Sequence, residues 1–343
     1  MPVAAKLWAI SDIHVGHRGN RPVTEDLYPE SPDDWLIVAG DVSEKTDDIR
    51  WALSLLSSRF AKVIWVPGNH ELWTTAKDPV QMHGVARYDY LVNMCDEMGI
   101  VTPEHPFPVW TEEGGPATIV PMFLLYDYSF LPDGTTTKAE GLTVARDRNV
   151  VATDEFLLRP DPYVTRDTWC AVRVEQTRAR LDALDPALPT VLINHFPLVR
   201  EPTRMLFYPE FALWCGTTET ADWHLRYRAL CSVYIICVHV QECICLFRLV
   251  PDRSRNRSRT YDNDIDPIQD QLPPQGFGES LQSMLRGGIR GDVAIPRNRC
   301  RRRDIDDASP SRLDHLGHLP EQQRQHQRAD VRPVDVGVGH DDD

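Results

Sequence analysis

Four short runs in this chain combine residue types that can hold metal ions: Asp12-Ile13-His14, Gly40-Asp41, Gly68-Asn69-His70-Glu71 and Asn194-His195. Taken singly they are common strings, and an Asp-x-His or a Gly-Asp is most often a solvated turn. Their shared context is the signal. Each follows directly on an apolar run, and open α/β sheets place their sites at the C-terminal ends of strands. Together they supply two aspartates, two histidines and an asparagine oxygen as ligands, with a further histidine left over. A carboxylate such as Asp41 can bridge two divalent cations about 3.5–4 Å apart. Imidazole nitrogens suit Mn, Fe and Zn, and oxygen donors complete the harder positions. Such a pair lowers the pKa of a water between the ions, which provides hydroxide near neutral pH to attack phosphorus in line. A protonated histidine can then neutralise the departing alkoxide.

The elements that must present these residues are legible as apolar runs suited to buried strands: Lys6 to Ile10, Trp35 to Ala39, Lys62 to Val66, Thr118 to Leu125 and Thr190 to Ile193. Between the second and third lies TDDIRWALSLLSSRF, with Ile49, Leu53, Leu56 and Phe60 at helical spacing. Thr46 can cap its first turn, and Asp47 and Asp48 suit the positive end of the helix dipole. Strands alternating with helices predict an α/β fold.

Composition narrows the function classes. A net charge of -14 argues against a general nucleic-acid binder, which needs a basic surface to displace counterions. Bound metal ions can supply positive charge locally, so a phosphate-processing enzyme can still be acidic. No run of about 18 apolar residues exists to span a membrane, and the N-terminus MPVAAKLWAISD does not read as an export signal. The eight scattered cysteines of a 343-residue chain are expected to be reduced thiols, which predicts a cytoplasmic protein.

The motifs in this order resemble the signature of the calcineurin-like metallophosphoesterases: Asp-x-His, Gly-Asp, Gly-Asn-His-Glu, a lone histidine and finally Gly-His-x-His. The resemblance implies a sandwich of two packed mixed sheets flanked by helices, and two divalent metal ions (Mn, Fe or Zn). It implies Asp12 and His14 on the first ion, Asp41 bridging, and Asn69 and His195 on the second. His70 would contact the phosphate as general acid, with Glu71 orienting it. Longer runs, among them LWAISDIHVGHRGNRPV, RFAKVIWVPGNHELWTT and LFYPEFALWCGTT, are similar to actinobacterial phosphopantetheinyl hydrolases over residues 6–234. That likeness implies a phosphodiesterase that removes 4′-phosphopantetheine from the serine of an acyl carrier protein. His17, Arg18 and Arg21 follow the first motif closely and are candidates to meet phosphate or an acidic carrier protein, a solvated loop being the even alternative. Trp73, Tyr126 and Tyr128 could line a groove for the pantetheine arm, although aromatics near strand ends are more often packing residues.

The pattern then breaks. After LCSVY, where Gly-His-x-His is expected, the chain reads Ile235-Ile236-Cys237-Val238-His239, and Gly-His-x-His occurs nowhere else in it. One ligand for each metal is missing, which predicts at least one poorly held ion and impaired activity. His239 is no simple substitute, because a register shift of one residue turns a strand side chain to the opposite face. Residues 251–343 hold fifteen arginines, seventeen acidic residues and no lysine or tryptophan, a composition that predicts a disordered tail. A shifted reading frame from about Tyr234 would explain both the lost motif and the altered texture. The expected organisation is a metallophosphoesterase domain over 1–234, an apolar strand-like segment over 235–250, and the tail. Two other functions stay open: hydrolysis of another small phosphoester such as a nucleotide, and a catalytically dead domain that binds a ligand or carrier protein.

Overall fold

The computed structural model describes residues 4–17 and 19–234, together with the backbone of Cys245–Leu249. Every described residue belongs to one unit of the chain, Met1–Ile295. The expectations for Arg18, His239 and residues 251–343 therefore fall outside the described residues.

Eight strands are described: β1 (Leu7–Ser11), β2 (Trp35–Val38), β3 (Lys62–Trp65), β4 (Val109–Trp110), β5 (Ala117–Pro121), β6 (Thr190–Ile193), β7 (Ala229–Val233) and β8 (Cys245–Leu249). They form two four-stranded sheets, ordered β3-β2-β1-β8 and β4-β5-β6-β7. In the first, β1, β2 and β3 run parallel and β8 pairs antiparallel with β1. In the second, β5, β6 and β7 run parallel and β4 pairs antiparallel with β5. Both sheets are mixed, as the family resemblance implies.

Strand alternation explains how the layers stack. Leu7, Ala9, Ile37, Ile64, Ala117, Ile119, Val191 and Ile193 form one buried cluster to which both sheets contribute. Their neighbours Trp8, Ile10, Leu36, Val38, Val63, Trp65, Val120 and Leu192 belong to a second, larger core with the helices. β1, β2, β3, β5 and β6 thus bury both faces, which is why the sequence shows continuous apolar runs there rather than alternation. The helix Thr46–Ser57 buries Ile49, Leu53 and Leu56 against that larger core. The helices Gly84–Glu97 and Arg166–Asp182 also contribute to it, through Leu91 and Met94 and through Trp169 and Val174. Among the described residues no helix is long and apolar enough to cross a membrane.

Two local expectations need correction. The apolar run Thr118 to Leu125 leaves the ladder at Pro121; beyond it, Met122 N–H donates to the Ile193 carbonyl and Leu124 N–H to Asn194 Oδ1. Thr46 does not cap its helix, since Lys45 occupies that position and the Thr46 hydroxyl donates instead to Asp78 Oδ1 at 2.7 Å. Asp78 takes over the capping: its Oδ2 accepts from Thr46 N–H at 3.3 Å and also from the Arg87 guanidinium at 2.8 Å.

Both side chains of the Asp78–Arg87 pair are fully buried. Burial pushes the Asp78 carboxyl up, but hydrogen bonds from Val80 N–H, Thr46 and Arg87 outweigh it and hold the carboxyl below its ordinary value. A depressed folded-state pKa contributes stability that is full above the unfolded value near 3.9 and is lost as pH falls through the folded value. Asp78→Asn is therefore expected to destabilise the protein at pH 7 by about 3–5 kcal/mol, since it leaves Arg87 buried without a countercharge. Urea denaturation should show the gap to wild type narrowing below about pH 4.

Candidate metal centre

The loops after β1, β2, β3 and β6 meet at one edge. Asp12 N–H donates to the Gly40 carbonyl, His14 N–H to the Asp41 carbonyl and Val15 N–H to the Val42 carbonyl, which zips the first two loops together. Asp12, His14 and Asp41 all hold positive φ (52°, 39° and 55°), a region that non-glycine residues seldom occupy and that clusters at functional sites. The crossing is too tight for side chains on its glycines. A β-carbon at Gly40 would lie 2.6 Å from Gly68 N, and one at Gly68 would lie 2.0 Å from Asp41 Oδ1.

Asp41 is the centre of the arrangement. Its Oδ1 accepts from His70 N–H at 3.1 Å. Its Oδ2 faces three imidazoles, with His195 Nε2 at 3.4 Å and His14 Nε2 and His70 Nε2 each at 3.8 Å. Asp12 Oδ1 lies 3.8 Å from His14 Nε2, and Ser11 Oγ donates to Asp12 Oδ2. His195 Nδ1 donates to the Ala39 carbonyl at 3.0 Å, which fixes Nε2 as the nitrogen that faces Asp41. His14 Nδ1 is buried without a hydrogen-bond partner among the described residues.

These spacings fit a cation. At 3.4–3.8 Å the nitrogens are too far from Asp41 Oδ2 for good hydrogen bonds. Donors that share one metal at bonds of about 2.1 Å lie roughly 3.0–3.5 Å apart. The ligand atoms of His14, Asp41 and His70 all lie within 4.8 Å of one another. Electrostatics agree. Burial alone would push Asp41 up, but the charges of His195 and His70 outweigh it and hold the carboxyl well below the usual range. Burial would likewise lower the two histidines; the Asp41 carboxylate overrides it, raising His70 to about 9 and His195 to about 10. The charge that these groups share as protons is the charge that a bound cation would supply.

Three supporting residues were not legible in the motifs. His70 Nδ1 donates to Glu44 Oε1 at 2.7 Å, so the carboxylate that orients His70 is Glu44, three residues beyond Asp41. Glu71, expected in that role, faces elsewhere. Fully buried, it accepts from the N–H groups of Asp41 (3.0 Å), Val42 (2.8 Å) and Gly68 (2.9 Å), clamping the second loop to the third. Arg87 holds the Glu71 carbonyl at 2.6 Å and the Glu44 carbonyl at 2.9 Å, which ties both acids to one buried guanidinium. Asp154 accepts from Asn69 Nδ2 at 2.8 Å and from Trp73 Nε1 at 2.6 Å.

The remaining candidates divide. Trp73 is buried with its ring 3.7 Å from that of His70, so it backs the site rather than lining a groove. Tyr126 and Tyr128 are buried packing residues. His17 is exposed, with its ring 5.9 Å from that of His14. Arg21 pairs with Asp48 at 3.0 Å and lies over the Trp51 ring, so it stands at the rim without touching the centre. Asn194 is structural, donating to the Phe196 carbonyl while accepting from Leu124.

Comparison with known proteins places this geometry. Residues 5–229 match the calcineurin-like phosphoesterase family. The chain belongs to that family. As a calcineurin-like phosphoesterase it is a phosphoester hydrolase, of a family that works with divalent metal ions. It is 76% identical over 228 residues to the acyl-carrier-protein phosphodiesterase PptH of Mycobacterium tuberculosis, an alignment spanning 66% of this chain and 70% of that protein. The crystal structure of phosphopantetheinyl hydrolase from the same organism superposes with a TM-score of 0.68 at 74% identity, covering 68% of this chain and 83% of that one. The calcineurin-like phosphoesterase fold accounts for both sheets and for the edge at which the four motifs meet.

Proposed function

We propose that this phosphoesterase is a cytoplasmic phosphodiesterase that releases 4′-phosphopantetheine from acyl carrier protein. The observation that carries the reaction class is the convergence of His14, His70 and His195 on Asp41 Oδ2. The substrate is carried by the 76% identity to a phosphodiesterase of acyl carrier protein. In this reading Asp12, His14 and Asp41 would hold one ion, and Asp41, Asn69 and His195 a second, with manganese, iron or zinc the metals that suit this mixed set. The ions, when bound, supply Lewis acidity toward phosphate oxygen and lower the pKa of water. The chain's own residues do the rest. Glu44 fixes the His70 ring through Nδ1, so that Nε2 can give its proton to the serine oxygen as it leaves. Trp73 covers one face of that ring and restricts its rotation.

A macromolecular substrate is favoured by the surface beyond β6. Between the turns Glu201–Met205 and Pro209–Trp214, Phe207 and Tyr208 stand 74% and 56% exposed. The second turn is tied toward the site, since Trp214 Nε1 donates to Glu155 Oε1 and Glu155 adjoins Asp154. Exposed aromatic pairs are typical anchors for a protein partner. Phe207→Ala/Tyr208→Ala is expected to raise KM for holo-carrier protein about tenfold or more while leaving hydrolysis of small aryl phosphodiesters unchanged.

The direct test is incubation with holo-acyl carrier protein and Mn2+, read by mass spectrometry of the carrier. Loss of the phosphopantetheine mass supports the reading; hydrolysis of nucleotides or aryl phosphates alone moves the substrate to a small phosphoester. The absence of Gly-His-x-His from the sequence favours one further reading, a domain that binds carrier protein without turning it over. Binding of holo-carrier protein with no hydrolysis at any metal concentration would select it.

A further inference from the structure

Asp154 opens the short helix Asp154–Leu157, 85 residues beyond Asn69 in sequence, and is only 2% exposed. Among the described residues no lysine or arginine pairs with it, although burying a carboxylate is unfavourable unless its oxygens are bonded. Its Oδ1 takes two donors, one from the third motif and one just beyond it: Asn69 Nδ2 at 2.8 Å and Trp73 Nε1 at 2.6 Å. The next residue anchors the helix from the other side, with Glu155 accepting from Tyr128 and Trp214 and pairing with Arg166.

We propose that Asp154 is the positioning residue for Asn69, selecting the amide oxygen as the end that faces the metal centre. The two ends of an amide are nearly the same shape, but only the oxygen can ligate a cation. The Trp73 indole N–H can only donate, so Asp154 Oδ1 accepts it and presents lone pairs that capture the NH2 group and repel the carbonyl. The amide is thereby locked in the orientation that a ligand requires, before any metal arrives. The same oxygen holds the Trp73 ring against His70, so one buried carboxylate sets both the ligand and the wall beside the general acid. This inference rests on the reading of Asn69 as a ligand.

The test is Mn2+ binding to the full chain by electron paramagnetic resonance, with the thermal midpoint of each metal-free variant measured alongside. Asp154→Leu is expected to weaken Mn2+ binding about tenfold or more, because nothing at 154 then dictates which end of Asn69 turns inward. Asp154→Asn keeps a carbonyl oxygen that the Trp73 indole N–H holds in the place of Oδ1, and should retain most of the affinity. A purely structural role would lower the thermal midpoint of Asp154→Leu without this loss of affinity. Wild-type affinity in Asp154→Leu would overturn the proposal while Asn69→Ala still binds weakly. Wild-type affinity in Asn69→Ala, or a wild-type chain that takes up no Mn2+, would overturn the ligand reading itself and this inference with it.

Discussion

Replacing the segment after Tyr234 with one that carries Gly-His-x-His is expected to raise phosphodiester turnover about a hundredfold, since each of two regained ligands is worth about tenfold in metal binding. The geometry supports the graft. β7 runs parallel to β6, and the Val233 carbonyl accepts from Asn194 N–H at 3.0 Å. A motif placed just after Val233 therefore leaves the sheet at the edge where His195 emerges. Among the described residues each proposed ion would have three protein ligands, with Asp41 counted for both. Turnover measured against Mn2+ concentration should show the activation midpoint of the grafted protein falling and its plateau rising. An unchanged activation curve would mean that another residue already fills those positions.

Glu71→Gln is expected to lower stability by about 1–3 kcal/mol, the cost of leaving a buried N–H group without an acceptor. For a domain of this size that is a fall of roughly 2–12 °C in Tm. The glutamate accepts from three backbone N–H groups, two on the Asp41 loop and one on the Gly68 loop. Glutamine keeps one oxygen but turns an NH2 group toward an N–H that needs an acceptor. The effect should reach the site, because the same contacts set the approach of Gly40 to Gly68. Mn2+ affinity is expected to fall along with Tm. A variant with wild-type Tm and no turnover would instead make Glu71 a participant in the chemistry.

The strand ends were readable because buried parallel strands need continuous apolar runs. The runs beginning at Trp35, Lys62 and Thr190 match β2, β3 and β6 to within one residue. The clustering of side chains was readable because its members sit within a few residues of those ends: Asp12, His14, Asp41, His70 and His195 come together through loops too short to send them elsewhere. The residues that orient them were not. Asp154 arrives from an excursion between β5 and β6 and carries no periodic signal in its own segment. Glu44 offered one clue, an acid three residues beyond Asp41, but nothing local tells whether it turns toward His70. Glu71 misled for the opposite reason: adjacency in sequence to His70 suggested contact, while the short helix Asn69–Leu72 turns the two side chains apart. Thr46 failed similarly, because a hydroxyl suited to local capping found a stronger acceptor in Asp78, 32 residues away.

The measurement that bears most directly on the account is metal uptake by wild type and Asp41→Ala, compared by elemental analysis after equilibration with Mn2+. Saturable uptake in the wild type that is lost in Asp41→Ala, with the far-UV circular dichroism of the two metal-free proteins alike, is the predicted result. Equal uptake by both proteins would contradict a metal centre built around Asp41.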